Sequence, residues 1–428
     1  MTVLEANRSD DEGARPSLRR WHHLVIFLLA CLILASRRPD AIFLPQFRAE
    51  DGHVWFADAY NLGWLASLIR TQDGYLQTFS RLGAALSLLI PIALAPLVLN
   101  VIAFAAQALP VNLLLCSRSS AWGSLRFRAM LAAIYLGLPS TGEAGLGITE
   151  SQWLLALSAF LLIVARPPKN RAGWLLDIAF LALSGLSGPF CIFLLPIAVY
   201  VAARRRNLRR WAPVWILGIS CAIQLFGLLI LDRMIRPRYE MGANAALLVR
   251  ILGGNVFVAA LIGNNRLAAM PGPGIFILLL GALLVGGTIA AVCLLKSNLG
   301  MRLFLLLSGA IMIASLLAPS GGIPAGVTVW QMLAKAGSVR YWIFPSLAFA
   351  WSLGWCVRVK KDALRVPAAV LLGILCLGSV FQWRLPALDD LHYAEYARAF
   401  EAAAPGTVMT IPENPMGWEI RLVKHQTF

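Results

Sequence analysis

The amino-acid sequence predicts an all-α polytopic membrane protein, and three observations carry that prediction. Of its 428 residues 59% are apolar and only 14% are charged, and the mean hydropathy is +0.72, far above that of a soluble domain. The apolar residues come in long runs rather than alternating with polar ones, which favours helices over strands. Backbone facing lipid must satisfy its hydrogen bonds internally, so each run is read as a helix. At about 20 residues per crossing, and fewer where a helix stops inside a protein cavity, about eleven transmembrane helices fit the chain.

The first run, 21–36, follows a polar leader and is closed by Arg37-Arg38, which describes a start-anchor helix rather than a cleavable signal. A first outer loop spans 37–95. It opens with Glu50-Asp51-Gly52-His53 and continues with apolar Trp55, Ala59, Leu62, Leu65, Ala66 and Ile69 at helical spacing, the pattern of a helix lying in the membrane interface. The stretch Leu82 to Ala95 is apolar but short and broken by Pro91, so a second interfacial or re-entrant helix is expected there.

Spans are then expected over 96–116, 127–140 and 151–165. A hairpin follows over 173–187 and 189–203, turning at Gly185-Leu186-Ser187-Gly188-Pro189; its arms are short, which implies a recess rather than a plain bundle. After a span at 211–231, an outer segment rich in Arg, Asn and Gly runs over 232–274. The remaining spans are 274–295, 303–318, 341–357 and 366–382, with an outer segment 319–340 that ends in Arg340-Tyr341. The polytopic domain thus covers 1–382, and 383–428 is a short extracytoplasmic tail.

Charge sets the orientation. The net +16 collects in alternate connections, notably Arg118 to Arg128, Arg166 to Arg171 and Arg204 to Arg210, whereas most carboxylates fall in the other connections. The positive-inside bias then places the N-terminus in the cytoplasm, and this charge speaks for membrane lipids as partners and against nucleic acid. All seven cysteines lie in or at the ends of apolar runs, without CxxC or Cys/His clusters, so neither a disulfide framework nor a metal site is expected.

Ionisable groups are scarce in such a chain, and a carboxylate pair at the membrane surface is therefore a candidate for chemistry. Asp51 also suits a plain helix cap, a role compatible with catalysis. Arg81 and Arg340 each stand where an outer loop enters an apolar segment, the depth of a lipid phosphate, although interface anchors sit at that depth too.

The order of Glu50-Asp51-Gly52, Gly74-Tyr75-Leu76 with Ser80-Arg81, Gln152-Trp153, the Gly185 to Phe190 turn, Arg340-Tyr341 and the tail Ile411-Pro412-Glu413-Asn414-Pro415 to Gly417-Trp418-Glu419 resembles bacterial GT-C membrane glycosyltransferases. The likeness runs over nearly the whole chain, each motif alone being weak. It implies a multi-pass protein of the bacterial inner membrane whose site faces the periplasm. It also implies transfer of a sugar from a polyprenyl-phosphate-linked donor to a glycan, lipid or protein acceptor, with inversion and without metal or other cofactor. The family's acidic residue maps to Asp51, with Glu50 as the alternative. Arg81, Arg340, Arg266 and Lys335 are the expected contacts to the donor phosphate, and His53, Tyr75, Glu150, Gln152 and Tyr341 the remaining substrate contacts.

That chemistry suits the residues. A sugar hydroxyl is a poor nucleophile, and a carboxylate in hydrogen-bond reach can take its proton as the new bond forms. A phosphate leaving group needs no acid to protonate it, unlike an ordinary glycoside. The rival class is a transporter or lipid flippase of the cell-envelope glycan pathway, which would favour repeated halves with broken helices in matching places; Asp177 is the acidic residue that speaks most for it.

Overall fold

Helices dominate the fold, as lipid-facing backbone requires. A computed structural model describes residues 20–141, 147–205, 211–231, 239–270, 274–319, 323, 325–335, 339–359 and 363–425. Most of the basic run Arg204 to Arg210 lies outside the described residues.

Five helices are long and apolar enough to cross a membrane: Ile92–Leu115, Trp211–Ile230, Ala245–Ile262, Ile275–Lys296 and Leu299–Leu317. Shorter apolar helices accompany them, including Trp21–Arg37, Ser151–Val164, Cys191–Arg204 and Arg365–Phe381. The expected count of eleven full spans is therefore corrected. The helix Ser151–Val164 has 14 residues, about 21 Å at the usual rise, against about 30 Å of hydrocarbon.

Two of the shorter helices form the core. Every residue of Ser151–Val164 is buried, as is Ile343 to Cys356 of the helix Ile343–Arg358. Apolar residues on all sides of a helix demand neighbours all round, and these two find them in Ala95–Leu115, Cys191–Arg205, Leu299–Leu317 and Arg365–Phe381. Aromatic contacts run through the core from Trp122 through Phe160, Phe304 and Phe344 to Phe190 and Trp153.

The segment 232–274, expected as an outer loop, instead contains the helical run Ala245–Ile262. Its length would permit a crossing, but its contacts place both ends on one face. Just before it, Glu240 and Met241 carbonyls accept from Val329 and Trp330 N–H; beyond its end, the Arg266 guanidinium lies 4.7 Å over the Phe381 ring. Residues 329–335, 339–342 and 381 border the same end of the helical pair Ile343–Arg358 and Arg365–Phe381, so both flanks of this run lie toward that face, while its Phe257 packs inward, 4.9 Å from Phe349.

The segment 37–95, expected as the first outer loop, reaches the same face, where its Glu50 and Tyr75 share a cavity with Arg340 and Tyr341. It folds as a π-helical turn Asp51–Phe56 running into Ala57–Leu62, then breaks at Gly63, whose φ of +88° favours glycine, and resumes at Trp64–Leu68. The break divides the expected interfacial helix: Trp55 and Ala59 turn inward, while Leu62, Leu65 and Ile69 stay exposed. The tail docks here. Its helix Tyr393–Ala402 and the antiparallel strands β1 (Val408–Glu413) and β2 (Trp418–Val423), paired with Ile411 opposite Ile420, form one apolar cluster with Phe47, Trp55 and Phe56. This hairpin is a strand element that the all-α reading missed.

Candidate functional site

The adjacent carboxylates face different surroundings. Asp51 is 3% exposed and accepts three hydrogen bonds: from Ile148 N–H at 3.2 Å, Thr149 N–H at 3.1 Å and Thr149 Oγ1 at 2.6 Å. The Thr149 hydroxyl accepts in turn from Trp55 Nε1 at 2.7 Å. A Cβ on Gly147 would stand 2.3 Å from Asp51 Oδ2, so the loop approaches this closely only with glycine there. Burial, then the nearby Glu150 charge, raises the Asp51 pKa to about 8 against the opposing pull of the Thr149 and Ile148 donors.

Glu50 lines a cavity of about 420 Å³, within the range of small-molecule sites. Part of its lining is polar, where Gln72, Asp73, Tyr75, Gln77, Thr149, Gln152, Arg340 and Tyr341 join Glu50. Much of the rest is apolar, including Phe190, Ile192, Phe193, Leu228, Leu229, Ile311 and Leu317. Leu229 and Leu317 are also exposed, so the apolar wall reaches the lipid-facing surface.

Several elements hold the polar part of the lining. Ala49 takes φ +48° just before Glu50 and donates its N–H to the tail carbonyl of Asn414 at 2.6 Å; Asp73, at φ +53°, lines the cavity itself. Left-handed backbone at a non-glycine costs about 1–3 kcal/mol and gathers at functional sites. Buried Gln224 accepts from Leu76 N–H at 2.8 Å and donates to the Gly185 and Gly188 carbonyls, each at 3.2 Å. The Gly-Leu-Ser-Gly-Pro turn is thereby clamped to the first outer loop, and Gly188 lies directly against Gln152.

Electrostatically the site is a mixed cluster. Desolvation opposes the charge on Arg340, but the fields of the Tyr341 hydroxyl, Glu150 and Glu50 outweigh it and raise its pKa, so it is a permanent cation. Glu150 is buried and paired to Arg48 at 3.0 Å, and its Oε2 has no hydrogen-bond partner among the described residues. The same holds for Oε1 of buried Gln77. A buried acceptor without a donor is costly and implies that something else supplies one.

Of the residues expected from the sequence, Glu50, Tyr75, Gln152, Arg340 and Tyr341 meet at the cavity, with Glu150 immediately behind it. Others do not. Asp51 is not among the lining residues, because its carboxylate is consumed by the 147–149 loop. Arg81 is buried, bonds Asp58 at 3.0 Å and lies 4.9 Å over the Trp55 ring, so its charge is spent inside the outer loop. Arg266 covers Phe381 on the far side of the face, and Lys335 borders a different cavity. His53 binds the tail: its Nδ1 is 2.8 Å from Glu413 Oε1, and its ring packs against Trp418. Burial acts against the charged forms of this pair. Glu413 nevertheless raises the His53 pKa, and burial raises that of Glu413.

Gln72, Asp73, Gln77 and Thr149 line the cavity without having been singled out in the sequence. For the first three the signal was the mostly polar run Thr71 to Thr78 immediately before an apolar helix; Thr149 lies outside it. Neither a protein-family model nor a curated protein matches this chain.

Proposed function

We propose that this chain is a GT-C-type membrane glycosyltransferase that moves a sugar from a polyprenyl-phosphate-linked donor to an acceptor at the face carrying the cavity, in a bacterial inner membrane with that face toward the periplasm. The observation that carries the reading is the composition of the cavity: two carboxylates, Glu50 and Asp73, and a permanent guanidinium share one lining with apolar residues that reach the exposed surface. A lipid-linked sugar phosphate likewise joins a polar, charged head to an apolar chain.

In this reading Glu50 is the general base. The acceptor oxygen attacks the anomeric carbon, Glu50 takes its proton, and the carbon–oxygen bond to phosphate breaks with its electron pair leaving on the polyprenyl phosphate. Arg340 holds that phosphate through charge-assisted bonds. Gln72, Gln77 and Gln152 offer amides to sugar hydroxyls. Asp51 does not touch substrate; it fixes the 147–149 loop and thereby Thr149 and Gln152.

The flippase reading draws less support. Asp177, its main acidic witness, is paired with Arg118 at the other face. Polyprenyl monophosphate binding to purified protein in nanodiscs tests the proposal: tight binding to wild type and a loss of about tenfold or more in Arg340→Ala are expected, and equal binding by the two removes Arg340 from the site. Appearance of free polyprenyl phosphate together with a covalent sugar product separates a transferase from a flippase, which breaks no bond.

A further inference from the structure

We infer that a second cavity on the same face binds the headgroup phosphate of an anionic phospholipid. This cavity, also about 420 Å³, shares no lining residue with the first. Two cations, Arg250 and Lys335, line it, with no carboxylate among its described lining residues, and Leu267, Met270, Ile275 and Leu279 supply apolar lining.

Three features distinguish it from a pair of stray interface cations. First, the cations are held in register. Asn255, buried on the helix that carries Arg250, donates through Nδ2 to the Leu333 carbonyl at 3.0 Å and the Lys335 carbonyl at 3.3 Å, which fixes the Lys335 segment across the cavity. Second, neither Arg250 nor Lys335 has a salt bridge among the described residues, and both are exposed, so their charge is available to an anion. Third, the cavity opens beside the start of the helix Ile275–Lys296, where Ile277 is 75% and Leu278 50% exposed.

Charge and place select the ligand. Two cations with no balancing carboxylate suit a phosphate, and the adjoining exposed apolar helix gives acyl chains a surface that a free anion would leave uncovered. The site is independent of sugar transfer; a chain inactive as a transferase would keep it.

The experiment titrates delipidated full-length protein in a neutral detergent with phosphatidylglycerol, phosphatidylcholine and inorganic phosphate, and reads bound species by native mass spectrometry. Phosphatidylglycerol should bind about tenfold or more tightly than phosphatidylcholine. The double variant Arg250→Ala/Lys335→Ala should lose that preference. Arg250→Lys/Lys335→Arg, which keeps both charges, should retain it, and so should Arg340→Ala, whose change lies in the other cavity. Equal affinity for the two lipids, a preference that survives the double Ala variant, or one lost in Arg340→Ala would overturn the proposal. Inorganic phosphate competing as well as the lipid would show a free-anion site and overturn the lipid assignment.

Discussion

Glu50 lines the cavity shared with Arg340, whereas Asp51, its neighbour in the chain, is buried and accepts three hydrogen bonds from Ile148 and Thr149. The two carboxylates therefore have separable roles, and most of the expected behaviour follows from that division.

Replacing Asp51 should be a folding defect before it is a catalytic one. Asp51→Asn presents an NH₂ group to donors already in place, leaving at least one buried N–H unpaired, at a cost of about 1–3 kcal/mol. Thermal unfolding in detergent should show a clear drop for Asp51→Asn and almost none for Glu50→Gln. Equal stabilities would mean that the loop does not depend on Asp51.

Arg81 and Arg340 should fail in different ways. Arg81→Ala leaves Asp58 without its buried partner and uncovers Trp55, so reduced expression and a lower unfolding temperature are expected. Arg340→Ala should keep the fold and lose donor affinity. Arg340→Lys should restore only part of it, because an ammonium cannot reproduce the guanidinium fork. Comparing unfolding temperature with lipid-phosphate binding for the three variants checks this.

Gly188→Ala should damage the cavity from behind. Its φ of +100° already disfavours a side chain, and a Cβ would lie 2.2 Å from Gln152 Oε1, so Gln152 must move. A stability loss of about 1–2 kcal/mol is expected from the backbone alone, together with weakened substrate binding. A variant with unchanged affinity would show that Gln152 does not contact substrate.

Docking of the tail should weaken as pH rises. His53 and Glu413 both have pKa values above their ordinary ones in the folded protein. The folded state therefore holds more protons than the unfolded one between the ordinary and raised values, and stability falls as pH climbs through that window. The protection of β1 and β2 against hydrogen exchange, taken relative to the intrinsic rate at each pH, should be lower at pH 8 than at pH 5, and the difference should shrink in His53→Gln. Greater protection at high pH would reverse the assigned sign.

The class of the fold was legible because hydropathy reports burial in lipid directly, but the span count was not. Length alone cannot tell a core helix such as Ser151–Val164 from a full crossing, nor show that both flanks of Ala245–Ile262 lie toward one face. The carboxylate pair stood out in the sequence, yet its division did not: it depends on Gly147 and Thr149, about a hundred residues downstream. Arg81 and Arg340 look alike at loop-to-helix junctions, and only the approach of Asp58 tells them apart. The tail strands did leave a trace in the alternation of Glu419 and Arg421 with Ile420 and Leu422. Pro412 and the short length of each strand obscured it.

In the proposed mechanism Glu50 is the base. The most direct test supplies membranes holding wild type, Glu50→Gln or Asp51→Asn with a panel of sugar-charged polyprenyl phosphates, and measures sugar transferred per folded molecule. A general base contributes about 10² to 10⁴ in rate, so Glu50→Gln should lose at least about a hundredfold while still binding donor, and folded Asp51→Asn should keep measurable turnover. Near wild-type transfer by Glu50→Gln, with transfer abolished in folded Asp51→Asn, would contradict the account and return the base to Asp51.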